Sequence, residues 1–459
     1  MNSDPRAADA RFGLGTGEVK RRHILPKALL VGLTAGLVGS AFRVALQFVE
    51  QQRLAWQLHL SRPLALLVAL LVGAIGGGVS VWLVRRFSPE AAGSGIPHLK
   101  SVVLGEREMT WRRLLPVKFF AGVIGIGGGL ALGREGPTIQ MGGATGLMVS
   151  RWFRVKPGEG ERRALIAAGA GAGLAAAFNA PLAGVIFVLE ELQGSFTPVV
   201  FVAAFLASVA ADVVGRVLTG EMPVFRLRDM PAPTLHALPV ALLLGLLCGF
   251  GGVLFNRSLL KSLDLFGKLK AWPPFAVGAL AGIGVGVASW LYPGVAGGGG
   301  LHVERALLGE IATDGIVLLL ALRFFLTMIS YGCGAAGGIF APLLVLGALG
   351  GLAVGRAAHA IAPEWAAQPE VFAVLGMGGL LTAIVRAPLT GIVLMVELTG
   401  KYDFMLPLLA SCLVAYGVAE ALRDVPIYEA LRERANARAA SAAAAAPAIA
   451  PAVDSHGSA

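Results

Sequence analysis

Long uncharged apolar runs follow one another along most of the chain. They include residues 64–84, 237–254 and 371–385. Uncharged apolar runs of about 18 or more residues, such as the first two of these, are typical of helices that cross a membrane. The pattern therefore predicts an all-α chain that passes through a bilayer many times.

Three predicted helices are too short to cross a bilayer by themselves. We place them at residues 94–104, 135–150 and 340–353, and each follows a glycine-rich break. Irregular backbone at membrane depth is tolerated only where protein buries it or where it lines a cavity, because lipid offers no hydrogen-bond partners. The breaks are therefore candidate positions for a polar pathway through the protein.

The composition agrees with a membrane location. Of the 459 residues, 56% are hydrophobic and only 14% are charged, whereas soluble domains contain about 25% charged residues. The 63 glycines suit close helix packing in lipid, where small residues let backbones approach. The net charge of +10 does not indicate a nucleic-acid partner, because the basic residues are scattered or flank apolar segments.

The start of the chain predicts a cytoplasmic N-terminus. Lys20, Arg21, Arg22 and Lys27 precede the first apolar run, and positive residues favour the cytoplasmic side of a membrane helix. The first 23 residues are polar and lack the apolar region of a cleavable signal. We therefore expect no cleaved leader.

An internal repeat is the largest feature of the chain's organisation. Shifted by about 205 residues, the sequence matches itself at six places in order. The matched segments are 31–43 with 244–256, 92–98 with 296–302, 105–106 with 309–310, 118–120 with 323–325, 133–137 with 338–342, and 180–185 with 387–392. Repeated membrane proteins with broken helices are typically transporters whose site lies between the repeats, usually in inverted topology.

The repeat predicts the domain boundaries. We expect a first membrane repeat at residues 27–217 and a second at 236–424. A cytoplasmic tail at 1–26 precedes them. A helix at 425–438 and a disordered tail at 439–459, which is rich in alanine, proline and serine, follow.

The Gly-Arg-Glu-Gly-Pro segment at residues 133–137 places two charges inside an apolar, glycine-rich stretch. Charged side chains at bilayer depth usually face a pathway. Pro137 suits the first turn of a helix, whose free amides and positive dipole end attract anions. We interpret Glu135 as a titratable group beside an anion site. The alternative is that Glu135 only caps a helix.

Two further motifs offer neutral donors to an anion. Gly-Ser-Gly-Ile-Pro at 93–97 opens a short helix, and Gly-Ile-Phe-Ala-Pro at 338–342 is the second-repeat counterpart of the Glu135 motif. Neutral dipoles bind a halide without trapping it, so the hydroxyl of Ser94 and the amides of Ile339 and Phe340 are candidate ligands. The alternatives are a turn capped by Ser94 and an apolar helix start that closes a loop.

Adjacent carboxylates and a late tyrosine are further candidates. Glu190 and Glu191 project about 100° apart on a helix. Glu190 has a repeat partner in Glu397, so we expect a structural role for that pair. Glu191 aligns with Leu398 and is the better candidate for proton transfer, unless it lies at the water interface. Tyr428, by its position alone, indicates an aromatic anchor at the membrane interface.

Other binding motifs lack support. Residues 171–176 satisfy a loose dinucleotide fingerprint, but no strand precedes them. Cys248, Cys333 and Cys412 show no metal-ligand spacing, and the seven histidines are dispersed. No nucleophile–base pair indicates a membrane enzyme. We therefore expect no metal and no cofactor, only transported ions.

The motifs at 93–97, 133–137 and 337–342, together with Tyr428, resemble in combination and order the CLC family of chloride channels and chloride/proton exchangers. The resemblance covers about residues 27–438. It implies a homodimer in the lipid bilayer with one anion pathway per subunit, each subunit built from two inverted repeats of transmembrane and broken half-helices. The chain shows no counterpart of the nucleotide-sensing domain pair of animal members, as expected of a bacterial exchanger.

The resemblance implies a role for each motif. Ser94, Ile339, Phe340 and Tyr428 would bind a central chloride ion. Glu135 would be the external gate, and Glu191 the internal proton-transfer residue. The implied selectivity filter consists of Gly93, Ser94, Gly95, Ile96, Pro97, Gly133, Arg134, Glu135, Gly136, Pro137, Gly338, Ile339, Phe340, Ala341 and Pro342.

Two positions narrow the expected function. A serine at 94 is similar to the chloride-selective members, and a carboxylate at 191 is similar to the exchangers. We therefore expect a secondary active antiporter that exchanges chloride for protons across a cell inner membrane. The alternative is a passive voltage- or pH-gated chloride channel in which Glu135 serves only as a gate.

Overall fold

The computed structural model describes residues 21–156, 159–220, 225 and 233–445. These residues form 17 α-helices, and eight of the helices are long and apolar enough to cross a membrane. The prediction of an all-α, multi-pass membrane protein is confirmed. Residues 1–20 of the expected N-terminal tail and 446–459 of the expected C-terminal tail lie outside the described residues.

The first half contains eight helices. They are α1 (Arg21–His59), α2 (Arg62–Phe87), α3 (Ile96–Leu104), α4 (Trp111–Gly127), α5 (Glu135–Trp152), α6 (Gly160–Phe178), α7 (Pro181–Phe187) and α8 (Pro198–Thr219). Helix α7 continues directly into a π-helical segment at Val188–Gln193. Such segments are rare and occur often at functional sites.

The second half repeats this order. Its helices are α9 (Leu238–Gly267), α10 (Pro274–Leu291), α11 (Gly300–Leu307), α12 (Thr313–Gly332), α13 (Phe340–Ile361), α14 (Pro369–Val385), α15 (Pro388–Thr399) and α16 (Met405–Ala421). Helix α17 (Ile427–Ala445) follows. Each of α9–α16 is thus the counterpart of one helix among α1–α8.

Equivalent helices of the two halves run antiparallel where they touch. A side chain on Gly73 of α2 would meet Gly282 of α10, and one on Gly77 would meet Gly278. Advancing along α2 therefore means going back along α10. Because a two-fold axis that reverses membrane helices must lie in the membrane plane, the repeats have inverted topology.

Glycine also sets the packing inside each repeat. Gly142 of α5 lies against Gly169 of α6, and Gly347 of α13 lies against Gly376 of α14. These backbones are so close that no side chain would fit between them. The same close approach in both halves buries α6 and α14 almost completely and places the starts of α5 and α13 in the protein interior.

Several predicted helix limits differ from the structure, and three of the differences have a physical reason. Helix α3 begins at Ile96 rather than at residue 94, because Gly95 before it is left-handed with φ +78°. Helix α13, expected to be too short, is long enough to span, since the guanidinium of Arg356 near its end is satisfied by backbone carbonyls. Helix α17 continues past Arg438 into the segment expected to be disordered, because alanine is the strongest helix former.

Candidate functional site

The glycine-rich breaks before α3, α5 and α13 meet at one place. The amide of Gly93 donates to the carbonyl of Ala335 at 2.9 Å, and the amide of Gly337 donates to the carbonyl of Gly93 at 3.0 Å. Gly133 and Gly338 exchange two backbone hydrogen bonds of 2.7 and 2.8 Å. Lipid cannot satisfy these groups, so this mutual pairing is what allows irregular backbone in the interior.

Ser94 lies against the Glu135 motif. A Cβ on Gly136 would be 2.8 Å from the Cβ of Ser94 and 2.9 Å from its carbonyl oxygen, so only glycine fits there. Ser94 is fully buried. Gly95, not Ser94, occupies the N-cap position of α3, and the amide of Ile96 donates to the Ser94 hydroxyl only at a long 3.4 Å.

The Glu135 carboxylate occupies the N-terminus of a helix from the other repeat. Its Oε2 accepts a hydrogen bond of 3.2 Å from the amide of Ala341, in the first turn of α13. Its Oε1 is 3.9 Å from Nε of Arg134, and the residue is 2% exposed. First-turn amides have no acceptor within their own helix, so the carboxylate occupies a position that would suit a small anion.

Ile339 and Phe340 form the start of the same helix. Ile339 is the N-cap of α13 and Phe340 its first residue, and both are buried. The Phe340 ring lies 5.8 Å from the ring of Phe178, which lines a cavity together with Glu135. Their amides therefore belong to the helix terminus that Glu135 approaches.

Two cavities border the hydrogen-bonded loops at residues 93–97, 133–137 and 337–342, which we call the motif loops. The Glu135 cavity, of about 250 Å³, is lined by Glu135, Arg134 and Ala341 among others. The Tyr331 cavity, of about 460 Å³, is lined by residues that include Gly93 and Tyr331. Because the two cavities share no lining residue, the motif loops separate them.

Tyr428 lies in the interior. It is fully buried, and its hydroxyl has no hydrogen-bond partner among the described residues. The interpretation as an interfacial anchor is therefore wrong. A buried hydroxyl without a partner costs about 1–3 kcal/mol, which a bound anion would offset. Tyr428 lies within electrostatic range of Tyr331, Glu191 and Glu135.

Tyr331 is a site residue that the sequence reasoning missed. It stands near the end of α12 and is 4% exposed. Its phenol lies against the loop that carries Ser94, because a Cβ on Gly93 would be only 2.9 Å from its oxygen. The one signal for Tyr331 in the sequence is its position just before the glycine-rich break that precedes α13.

Glu191 lies on the π-helical segment after α7, and it is 6% exposed. Its Oε1 accepts a hydrogen bond of 3.0 Å from Nζ of Lys100, which stands on α3. Glu191 is therefore buried in the protein rather than exposed on its surface. Because α3 follows Ser94 directly and carries Lys100, this helix links the Glu191 carboxylate to the loop at residues 93–97.

The expected structural role of Glu190 and Glu397 is confirmed. Glu190 accepts hydrogen bonds from the amides of Leu389 and Thr390, at 3.0 and 2.7 Å. Glu397 accepts from the amides of Leu182 and Ala183, at 3.0 and 2.7 Å. Each carboxylate thus caps the half-helix of the other repeat, which again makes α7 and α15 antiparallel.

Two buried cations hold the loops before the half-helices. Nζ of Lys118 donates to the carbonyls of Ala91 at 2.9 Å and of Gly93 at 2.6 Å. Its repeat partner Arg323 donates to the carbonyls of Val295 at 2.6 Å and Gly297 at 2.8 Å. Both side chains are fully buried. Lys118 therefore fixes the backbone next to Ser94.

Lys118→Met is expected to lower the free energy of unfolding by about 2–3 kcal/mol, because it leaves the buried carbonyls of Ala91 and Gly93 without a donor. Thermal unfolding in detergent measures the loss. Lys270→Met, which changes an exposed lysine, is the matched control and should unfold like the unchanged protein. Identical unfolding of both variants would contradict this role of Lys118.

No group of three or more His, Cys, Asp or Glu side chains suited to a metal ion occurs among the residues that the structure describes. The motif loops offer amide and hydroxyl donors together with one carboxylate. Such a set suits a monovalent anion and a proton.

Comparison with known proteins agrees with this chemistry. Residues 76–420 match the family model described as voltage gated chloride channel. The chain is 44% identical over 421 residues to the H(+)/Cl(-) exchange transporter ClcA of Vibrio cholerae, covering 90% of this chain and 89% of that protein. It is 38% identical over 461 residues to the protein of the same name from Citrobacter koseri, covering 95% and 96%.

Solved structures show the same fold. A slow cyanobacterial Cl−/H+ antiporter superposes with a TM-score of 0.85 at 38% identity, over 90% of this chain and 98% of that one. A fluoride/proton antiporter superposes with a TM-score of 0.75 at 22% identity, over 88% and 97%, and this second likeness concerns the fold alone.

Proposed function

Because the chain belongs to the voltage gated chloride channel family, we propose that it is a secondary active antiporter that exchanges chloride for protons across a bacterial inner membrane. The names of the Vibrio and Citrobacter relatives and of the cyanobacterial structure support exchange over passive conduction. The proposal rests on one observation above all: the Glu135 carboxylate accepts a hydrogen bond from the amide of Ala341. One titratable group there occupies an anion position.

Chloride would bind among neutral donors. The hydroxyls of Ser94 and Tyr428 and the amides of Ile339 and Phe340 would surround it, with residues 93–97, 133–137 and 338–342 as the filter. In support, all four residues are buried and the Tyr428 hydroxyl has no protein partner among the described residues. Donors without a full charge release the ion as readily as they bind it, which transport requires.

Glu135 would couple the two ions by competition. Ionised, it holds the helix terminus of α13 and excludes chloride. Protonated, it loses the charge that the amides attract, turns into the adjoining cavity of about 250 Å³ and lets chloride take its place. Chloride binding and proton binding at Glu135 therefore require each other. No cofactor enters this scheme.

Glu191 would deliver protons from the cytoplasmic side. Its burial and its contact with Lys100 support a functional carboxylate, because an ionisable group inside a membrane protein usually belongs to a pathway. Protons would pass from Glu191 to Glu135, while chloride would pass the hydroxyls of Ser94 and Tyr428.

A homodimer is part of the proposal. The chain contains every motif of one pathway, so each subunit would transport by itself. The ends of α7 and α15 expose apolar side chains, with Leu182 49% and Leu389 57% exposed. These paired helices offer a face for a second copy.

The purified protein in liposomes is expected to take up protons when a chloride gradient drives chloride out. Simultaneous recording with a chloride electrode and a pH electrode measures both fluxes, and empty liposomes are the control. A passive channel would show a reversal potential that is indifferent to the pH gradient. That result would replace the exchanger by the channel alternative.

A further inference from the structure

Lys100 of α3 lies between two carboxylates. Its Nζ is 3.0 Å from Oε1 of Glu191 and 3.4 Å from Oε2 of Glu429 on α17. The side chain of Glu191 is 7% exposed, whereas that of Glu429 is 26% exposed. One ammonium group therefore connects the buried carboxylate to one that solvent reaches.

The second carboxylate is itself held in place. Nε of Arg432, one turn further along α17, donates to both oxygens of Glu429 at 3.1 Å. Arg432 also pairs with Glu106 after α3, and Asn436 donates to Glu106 at 2.9 Å. The hydrogen bond from Arg432 lowers the pKa of Glu429. Glu429 therefore remains an anion next to Lys100.

Protonation of Glu191 breaks its ion pair with Lys100. When Glu191 takes a proton, the ammonium group of Lys100 loses that partner, and an unpaired charge on a side chain that is only 18% exposed is unfavourable. Glu429 supplies a second anion within reach. Lys100 thus has a partner whether Glu191 is ionised or neutral.

We propose that Lys100 is a charge switch, which pairs with Glu191 when this residue is ionised and with Glu429 when it is protonated, and so sets the pH range of exchange. This inference rests on the proposed function, because it assumes that Glu191 carries protons. The charged or titratable groups that face Glu191 are Lys100 from α3, Glu429 and Tyr428 from α17, and Glu190 on its own segment.

Lys100→Met and Glu429→Gln are expected to move the pH dependence of transport in opposite directions. Loss of the positive charge at Lys100 makes it easier to protonate Glu191, so the pH at which proton uptake is half-maximal rises, by at least about one unit. Loss of the charge at Glu429 leaves Lys100 to Glu191 alone, so this midpoint falls, by several tenths of a unit or more. Initial proton uptake in liposomes is measured over a series of symmetrical pH values.

Two variants serve as controls. Lys100→Arg keeps the charge and should restore the midpoint of the unchanged protein. Glu433→Gln removes an exposed carboxylate from the same helix and should not move it. If the Met variant does not fold, Lys100→Gln removes the same charge.

The outcomes separate the two proposals. Midpoints that do not move, or that move in the same direction, overturn the charge switch, because a merely structural role cannot produce opposite shifts. A protein that exchanges no protons in any form, although it transports chloride, contradicts the proposed function itself.

Discussion

Glu135→Gln is expected to leave chloride transport in place while proton uptake falls by at least about a hundredfold. A positioned acid–base group contributes about 10²–10⁴ in rate, and glutamine can neither carry a proton nor compete as an anion for the amide of Ala341. Chloride would then enter the helix terminus of α13 without a proton. The measurement is simultaneous chloride efflux and proton uptake in liposomes.

The matched control is Glu304→Gln. Glu304 lines the same cavity of about 250 Å³ but is exposed, so its charge should not control access to α13, and coupling should persist. Should Glu135→Gln still move protons against their gradient, Glu135 would not be the coupling group, and the competition mechanism would be wrong.

Glu191→Gln is expected to reduce proton uptake by about tenfold or more while chloride efflux continues, because the group that supplies protons from the cytoplasmic side is lost. Chloride binding does not involve this side chain in the proposed mechanism. The fold should tolerate the change, since Lys100 keeps Glu429 as its partner at 3.4 Å. The same two-electrode recording measures both fluxes.

Glu190→Gln separates this role from general damage to the segment. Glu190 is the neighbour of Glu191 but caps α15, so its loss should lower stability and leave the ratio of chloride to protons unchanged. Undiminished proton uptake by Glu191→Gln would show that protons reach Glu135 by another route.

The spans could be predicted because their signal is local, and the repeat because its matched segments keep similar residues. An apolar run such as 64–84 must be a helix in lipid, since only a helix satisfies its own backbone there. The alignment of Glu190 with Glu397 followed from the repeat, and it predicted a structural role for both carboxylates. The limits of α13 and α17 were missed because they depend on the partners of Arg356 and on helix propensity near the chain end.

The surroundings of Tyr428, Tyr331 and Lys100 could not be predicted. Each depends on packing between elements far apart in the chain: Lys100 and Glu191 are separated by 91 residues, and Glu135 and Ala341 by 206. An interfacial tyrosine and a buried one can have the same local sequence. Only the position of α17 against α3 decides between them.

The amino-acid sequence by itself determined the membrane class, the two repeats and the breaks with their carboxylate, because periodicity, composition and glycine content act over a few residues. The tertiary structure alone decided which helix terminus receives the Glu135 carboxylate, which hydroxyl lacks a partner and which cation faces Glu191. Those contacts join the two repeats, or join α3 to α17 and to the segment after α7, and such long-range contacts arise only when the antiparallel halves pack together.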